Sequence, residues 1–146
     1  MKKNIYTLIL MLMVSVTCFA LDKYSINRND LPQTAQDFLT ENFPKAKVSM
    51  IKVDKHLLKK TDYDVKLVNG TKIEFSNSGK WTSVDCNKSA VPEKIIPATI
   101  RKYVSRNYSD EKIVKIEKST TKYTVRLSND TELLFSLLGT FKGVKE

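Results

Sequence analysis

One histidine, His56, and two cysteines, Cys18 and Cys86, are all that the 146 residues offer toward metal ligation or nucleophile–base chemistry. A zinc site needs three or four such ligands, and a nucleophilic Cys or Ser needs a base with its own orienting partner, so each constellation lacks members. Glycine is scarce too, at four residues, and there is no phosphate-cradling Gly-rich loop, Gly-x-Ser-x-Gly or His-Glu-x-x-His. The chain therefore reads as non-enzymatic, with no catalytic residue, cofactor or metal assigned. Arginine is the next shortage. Of 25 basic residues 21 are Lys, and only Arg28, Arg101, Arg106 and Arg126 carry the planar fork that favours phosphate and guanine. Nucleic acid is thus a poor match despite the formal charge of +9. A solvated cationic exterior accounts for the lysines, with an acidic partner or envelope polymer as the other reading.

Long apolar runs are missing except at the start. Met1 to Asn4 is basic, Ile5 to Phe19 is apolar, and Cys18-Phe19-Ala20 ends in small residues at the −3 and −1 positions. This is the pattern of a secretory signal peptide cleaved after Ala20, too short for a comfortable span of about 20 residues. Lipidation of Cys18 is the weaker alternative, because Thr17 stands where a lipobox has Gly, Ala or Ser. Removing Lys2 and Lys3 leaves 23 basic against 16 acidic residues, a mature charge of +7. Cys86 is then the only cysteine, so no internal disulfide forms and stability must come from the core. With no base or helix N-terminus evident beside it, Cys86 reads as a half-buried bystander thiol.

What the chain does have is a duplication. Tyr63-Asp64-Val65-Lys66-Leu67-Val68-Asn69-Gly70-Thr71-Lys72-Ile73-Glu74-Phe75-Ser76 returns sixty residues later as Tyr123-Thr124-Val125-Arg126-Leu127-Ser128-Asn129-Asp130-Thr131-Glu132-Leu133-Leu134-Phe135-Ser136. Upstream, Leu31, Ala35, Phe38, Leu39 and Phe43 form one helical stripe with Pro32 at its first turn, ended by Pro44, and Ile96-Pro97 followed by Ile100, Tyr103, Val104 and Tyr108 repeats it. The offset shrinks between Asp54 and Asp62, where the first copy carries extra residues including His56, Leu57 and Leu58, placed in a surface loop. Lys47 to Val53 and Lys112 to Lys118 are further strands, less cleanly alternating.

The hairpin turns follow from the faces. A two-residue Asn69-Gly70 turn would put Val65 beside Glu74, whereas a three-residue loop Val68-Asn69-Gly70 with Gly70 left-handed pairs Leu67 with Thr71, Val65 with Ile73 and Tyr63 with Phe75. One face is then apolar throughout. The second copy puts Asp130 at the left-handed position, and the next turns, Asn77-Ser78-Gly79 and Leu137-Leu138-Gly139, set Phe75 against Trp81 and Phe135 against Phe141. The fold is α+β: residues 1–20 leader, 21–30 N-terminal segment, 31–86 first repeat, 87–95 linker and 96–146 second repeat. Each repeat is a helix followed by four strands in an antiparallel meander. The apolar linker residues from Val91 to Ile95 should lie against the protein.

The leader, the doubled Leu/Ile-Pro helix opening and the doubled Tyr-x-Val-Lys/Arg-Leu-x-Asn-x-Thr hairpin with its Gly-aromatic turn resemble the PepSY-like, β-lactamase-inhibitor-like family of small exported bacterial proteins. The resemblance covers Leu31 to Val144. It implies tandem α/β repeats whose helices cover one side of an antiparallel sheet and leave the other open, with protein binding or peptidase restraint as the associated activity. These motifs are structural, and no inhibitory residue carries over to a position here.

The expected open face carries Asp64, Lys66, Lys72, Glu74, Thr82, Arg126, Glu132, Leu134 and Lys142. Asp64 and Glu74 are placed diagonally, with Lys66 and Lys72 among them, which favours cross-strand charge pairing over catalytic carboxylates. The anomaly is Leu134 with Leu137 and Leu138, where the first copy has Glu74, Asn77 and Ser78. The candidate partner-binding set is Leu134, Leu137, Leu138, Lys66, Lys72, Glu74, Arg126 and Glu132. The partner is a protein or peptide of the cell envelope, bound in the periplasm or outside the cell by a protein with no membrane span once its leader is removed. Alternatively, a small ligand or envelope polymer binds in a Tyr- and Lys-lined cleft between the repeats.

Overall fold

The computed structural model describes residues 22–55 and 61–145. The leader with Cys18, and His56, Leu57 and Leu58 of the insertion, lie outside the described residues. Among the described residues two α-helices, α1 (Gln33–Asn42) and α2 (Ala98–Asn107), accompany nine strands: β1 (Lys23–Ser25), β2 (Val48–Asp54), β3 (Asp62–Leu67), β4 (Lys72–Phe75), β5 (Trp81–Asp85), β6 (Ile113–Lys118), β7 (Lys122–Leu127), β8 (Glu132–Ser136) and β9 (Phe141–Val144). The strands form one antiparallel sheet in chain order from β1 to β9. Helix followed by four strands thus occurs twice, and β5 joins β6 by backbone pairing of Ser83 with Glu117, Val84 with Ile116 and Asp85 with Lys115. The two halves are continuous in one sheet rather than docked as separate lobes.

Each helix starts behind a proline, Pro32 or Pro97, whose fixed φ suits entry and whose missing N–H is not needed there. Each helix then buries one stripe, Ala35 and Leu39 on α1 and Ile100 and Val104 on α2. These join Ile51, Val65, Leu67, Ile73, Phe75, Ile116, Val125, Leu127, Leu133 and Phe135 in one core on a single side of the sheet. The duplication extends to aromatic geometry. Phe38 of α1 meets Phe75 edge-on at 5.5 Å and lies 6.4 Å from Trp81, while Tyr103 of α2 meets Phe135 edge-on at 5.4 Å and stacks on Phe141 at 4.4 Å. The linker lies against the protein, with Val91, Ile95 and Ile96 buried and Val91 N–H donating to the Ile113 carbonyl.

The hairpin registers match the three-residue loops: Val65 faces Ile73, Tyr63 faces Phe75, and Leu67 N–H donates to Thr71 O at 2.8 Å. Gly70 at φ +89° and Asp130 at φ +66° hold the left-handed positions. Gly79 and Gly139 are required by space as well as by φ, since a Cβ would fall 2.9 Å from Ala35 N in one turn and 1.8 Å from Thr99 Oγ1 in the other. These two turns are thereby clamped against the starts of α1 and α2.

One segment gains an element, and two expectations need correction. The 21–30 segment includes β1, which pairs with β2 through Tyr24–Lys52 and Ser25–Ile51; with three residues and one aromatic it has no periodicity to read. Thr82 and Lys142 are not in the open-face rows. A bulge in each copy makes Ser83 the partner of Glu74 and Gly143 the partner of Leu134. Without that extra residue Ser83 would face the core and Val84 would face water, so the bulge restores the apolar face. The same device recurs between Val48 and Met50 and between Ile113 and Lys115, which is why those two strands alternate poorly. Cys86 is buried rather than half-buried, and burial pushes its thiol pKa up, partly offset by its hydrogen bond to Thr71.

Candidate functional site on the open sheet face

Strand alternation sends every second side chain away from the helices, and pairing aligns them in rows across the sheet. One row runs Tyr24, Lys52, Asp64, Glu74, Ser83, Glu117, Thr124, Leu134 and Gly143. The neighbouring row runs Met50, Lys66, Lys72, Asp85, Lys115, Arg126 and Glu132. The first is acidic at its centre and the second mainly basic.

In the second copy these charges are compensated. Arg126 faces Glu132 and its Nη2 donates to Asp85 at 2.9 Å, Lys145 donates to Glu132 at 2.6 Å, and Lys115 pairs with Glu117 at 2.5 Å. The hydrogen bond from Lys145 holds the Glu132 carboxyl below its ordinary pKa.

The first copy is arranged the other way. Asp64 faces Glu74 directly, not diagonally, and Lys66 faces Lys72 directly. Like charges opposite one another destabilise an antiparallel pair. Nearby countercharges are engaged elsewhere. Lys52, across the ladder from Asp64, binds Asp54 at 2.8 Å and Asp22 at 3.2 Å, and those hydrogen bonds raise its pKa. Asp85, across from Lys72, is taken by Arg126. Among the described residues none of Asp64, Lys66, Lys72 and Glu74 forms an ion pair. Desolvation, then the charge of Asp54, raises the pKa of Asp64; desolvation, then the charge of Asp64, raises that of Glu74. A depression of about 220 Å³ lies here, lined by these four residues with Met50, Lys52, Val65 and Ile73. Met50 is 37% exposed.

The leucine patch divides. Leu134 is half-buried in the ladder, facing Thr124 and Gly143, whereas Leu137 and Leu138 form the β8–β9 turn, with Leu138 87% exposed. Tyr24, at the other edge of the open face, adds an exposed aromatic that periodicity could not reveal. The like-charged pairs were legible, since pairing Val65 with Ile73 already requires Asp64 opposite Glu74 and Lys66 opposite Lys72.

On the helix side, a depression of about 400 Å³ is lined by Thr34, Asp37, Phe38, Glu41, Gly79, Lys80, Trp81 and Lys118, drawing on both halves. Its aromatic lining is Phe38 and Trp81, not tyrosine. Lys118 sits 5.6 Å above the Tyr123 ring. Among the described residues no group of three or more His, Cys, Asp or Glu side chains is placed to hold a metal ion, and no helix is long and apolar enough to cross a membrane.

The family model described as β-lactamase-inhibitor-like, PepSY-like matches residues 20–60 and 61–143. A solved structure of a Bacteroides vulgatus protein, described as periplasmic and of unknown function, is 36% identical, with a TM-score of 0.83 over 86% of this chain and 100% of that one. A Bacteroides thetaiotaomicron protein described as calcium-regulated and periplasmic is 42% identical, with a TM-score of 0.80 over 86% of this chain and 97% of that one. No curated relative matches the sequence.

Proposed function

The chain belongs to the β-lactamase-inhibitor-like, PepSY-like family, and from that premise we propose that it is an exported, non-catalytic binding module. It engages a protein or peptide partner through the open sheet face and the Leu137–Leu138 turn. The observation that carries this reading is a sheet, nine-stranded among the described residues, that the described helices cover on one side only, and whose other side keeps Asp64 against Glu74 and Lys66 against Lys72. A merely solvated face gains nothing from such pairs, whereas a partner supplies the missing countercharges. Leu138 adds an apolar contact at the sheet's end, next to the exposed Leu137. Inhibition of an enzyme or peptidase is one consequence of such binding. On this reading the leader is removed after Ala20, and the protein acts in the periplasm or outside the cell; the descriptions of two solved relatives as periplasmic support that location.

The test is affinity capture from envelope extract with wild type, Thr124→Arg on the second-copy part of the open face and Leu137→Ser/Leu138→Ser. Partners recovered by wild type should be depleted by both changes. Equal recovery by all three proteins refutes the reading.

The second reading, a small-ligand or envelope-polymer sensor, draws support from the helix-side depression, where Lys118 of the second half joins Phe38, Lys80 and Trp81 of the first. It requires saturable quenching of Trp81 fluorescence, and a melting-temperature rise that the leucine changes leave intact.

A further inference from the structure

We propose that the four charges of the β3–β4 hairpin form a two-pole socket for an extended peptide segment bearing a basic and an acidic side chain two residues apart. The assignment deepens the open-face reading and rests on it.

The spacing comes from the sheet itself. Asp64 and Glu74 form one pole and Lys66 and Lys72 the other, and within each strand the poles are two residues apart. That places them about 6.8 Å apart, the two-residue repeat of an extended strand. A bound segment running along β3 and β4 presents its own residues i and i+2 on one face with the same spacing. A cationic side chain then sits between the carboxylates of Asp64 and Glu74, and a carboxylate between the ammonium groups of Lys66 and Lys72. Each incoming charge meets two groups of opposite sign, in the depression that also exposes Met50 to the segment's aliphatic stems.

Two further observations set this socket apart from an ordinary charged surface. The nearest countercharges make their ion pairs elsewhere, Lys52 with Asp54 and Asp22, Lys115 with Glu117 and Asp85 with Arg126, so that Lys52 and Lys115 act on Asp64 and Glu74 only through space. The duplicated hairpin supplies an internal control on the same scaffold. There the corresponding positions are Thr124 facing Leu134 and Arg126 facing Glu132, with no like-charged pair. Charge complementarity therefore selects the first hairpin and a partner segment of mixed sign.

The experiment uses isotopically labelled protein lacking only the leader, titrated with capped, fluorescein-free heptapeptides and followed by amide chemical shifts. The probes carry Lys-x-Glu, Lys-x-Lys, Glu-x-Glu or Lys-x-x-x-Glu in a Gly/Thr background. The Lys-x-Glu peptide should bind at least fivefold more tightly than either single-sign peptide, with shifts centred on Asp64, Lys66, Lys72 and Glu74. Asp64→Asn/Glu74→Gln and Lys66→Met/Lys72→Met should each remove at least fivefold of that affinity, while Arg106→Met on α2, on the other side of the sheet, does not. Both double variants relieve repulsion, so misfolding would not explain the loss. Equal binding of a single-sign peptide overturns the two-pole assignment, and tighter binding of Lys-x-x-x-Glu overturns the extended conformation. Calcium chloride alone raising the melting temperature in wild type but not in Asp64→Asn/Glu74→Gln assigns the acidic pole to a divalent cation and also overturns it. If Thr124→Arg loses its captured partners while the peptides show no preference, the open-face reading survives and the socket does not.

Discussion

Replacing Asp64 and Glu74 together by Asn and Gln should stabilise the fold at neutral pH, although it removes two charges from the proposed binding face. The two carboxylates face each other across β3 and β4 and neither has an ion-pair partner among the described residues. Two unit charges about 6 Å apart repel by roughly 0.7 kcal/mol in a water-like dielectric. Measured cross-strand pair effects fall in the same range, roughly 0.2–1 kcal/mol. About 0.5 kcal/mol corresponds to a melting-temperature rise of about 2 °C for a domain of this size. The pH dependence has a definite sign. Desolvation first, then the charge of Asp54 on Asp64 and the charge of Asp64 on Glu74, raises both folded-state pKa values above their ordinary carboxylate values. The folded protein therefore holds these protons more tightly than the unfolded chain does, and stability falls as pH rises from the ordinary pKa values through the raised ones. The advantage of the double variant should be full at pH 7 and vanish on acidification below the ordinary carboxylate range. It should also shrink between 20 mM and 500 mM salt, because screening relieves the wild type and not the amides. Urea unfolding at these conditions measures it. A double variant less stable than wild type at pH 7 would refute the repulsion argument and recast the pair as structural.

Other expectations follow from the same geometry. Gly139→Ala should cost about 3 kcal/mol, combining a left-handed φ with a Cβ driven into Thr99, whereas Gly70→Ala, with open space around its Cβ, should cost about 1 kcal/mol; urea midpoints separate the two. Leu137→Ser/Leu138→Ser should change stability by less than about 0.5 kcal/mol, because both leucines are exposed, yet deplete captured partners. Glu132→Gln should cost stability at pH 7 and cost progressively less as pH falls through the lowered carboxyl pKa, the opposite trend to Asp64 and Glu74, since Lys145 favours the ionised form of Glu132.

Most of the scaffold was legible because the chain states it twice. The helical stripes, the proline entries and the three-residue loops follow from periodicity and from the demand that one face be apolar, and the observed pairings of Val65 with Ile73 and Phe135 with Phe141 agree. The bulges at Thr82 and Lys142 leave a fainter trace, and for the first of them the signal is that an unbulged strand would put Ser83 in the core and Val84 in water. β1 escaped because three residues at a sheet edge carry too little pattern. At the candidate site, sequence comparison of the two copies drew attention to what the second copy gains, the leucines. The structure points equally to what the first copy keeps, the uncompensated charges. Which countercharge goes where depends on side-chain reach across three strands, as in Arg126 to Asp85, and no linear spacing records that.

The central claim is that the uncovered side of the sheet is the binding surface. Site-specific photocrosslinking in living cells tests it most directly, with a benzophenone amino acid placed singly at Thr124 and Lys72 on the open face and at Thr40 and Ser105 on the exposed faces of α1 and α2. The account expects discrete adducts of the same partner from Thr124 and Lys72 and none from Thr40 or Ser105. Adducts confined to the two helix positions would contradict it.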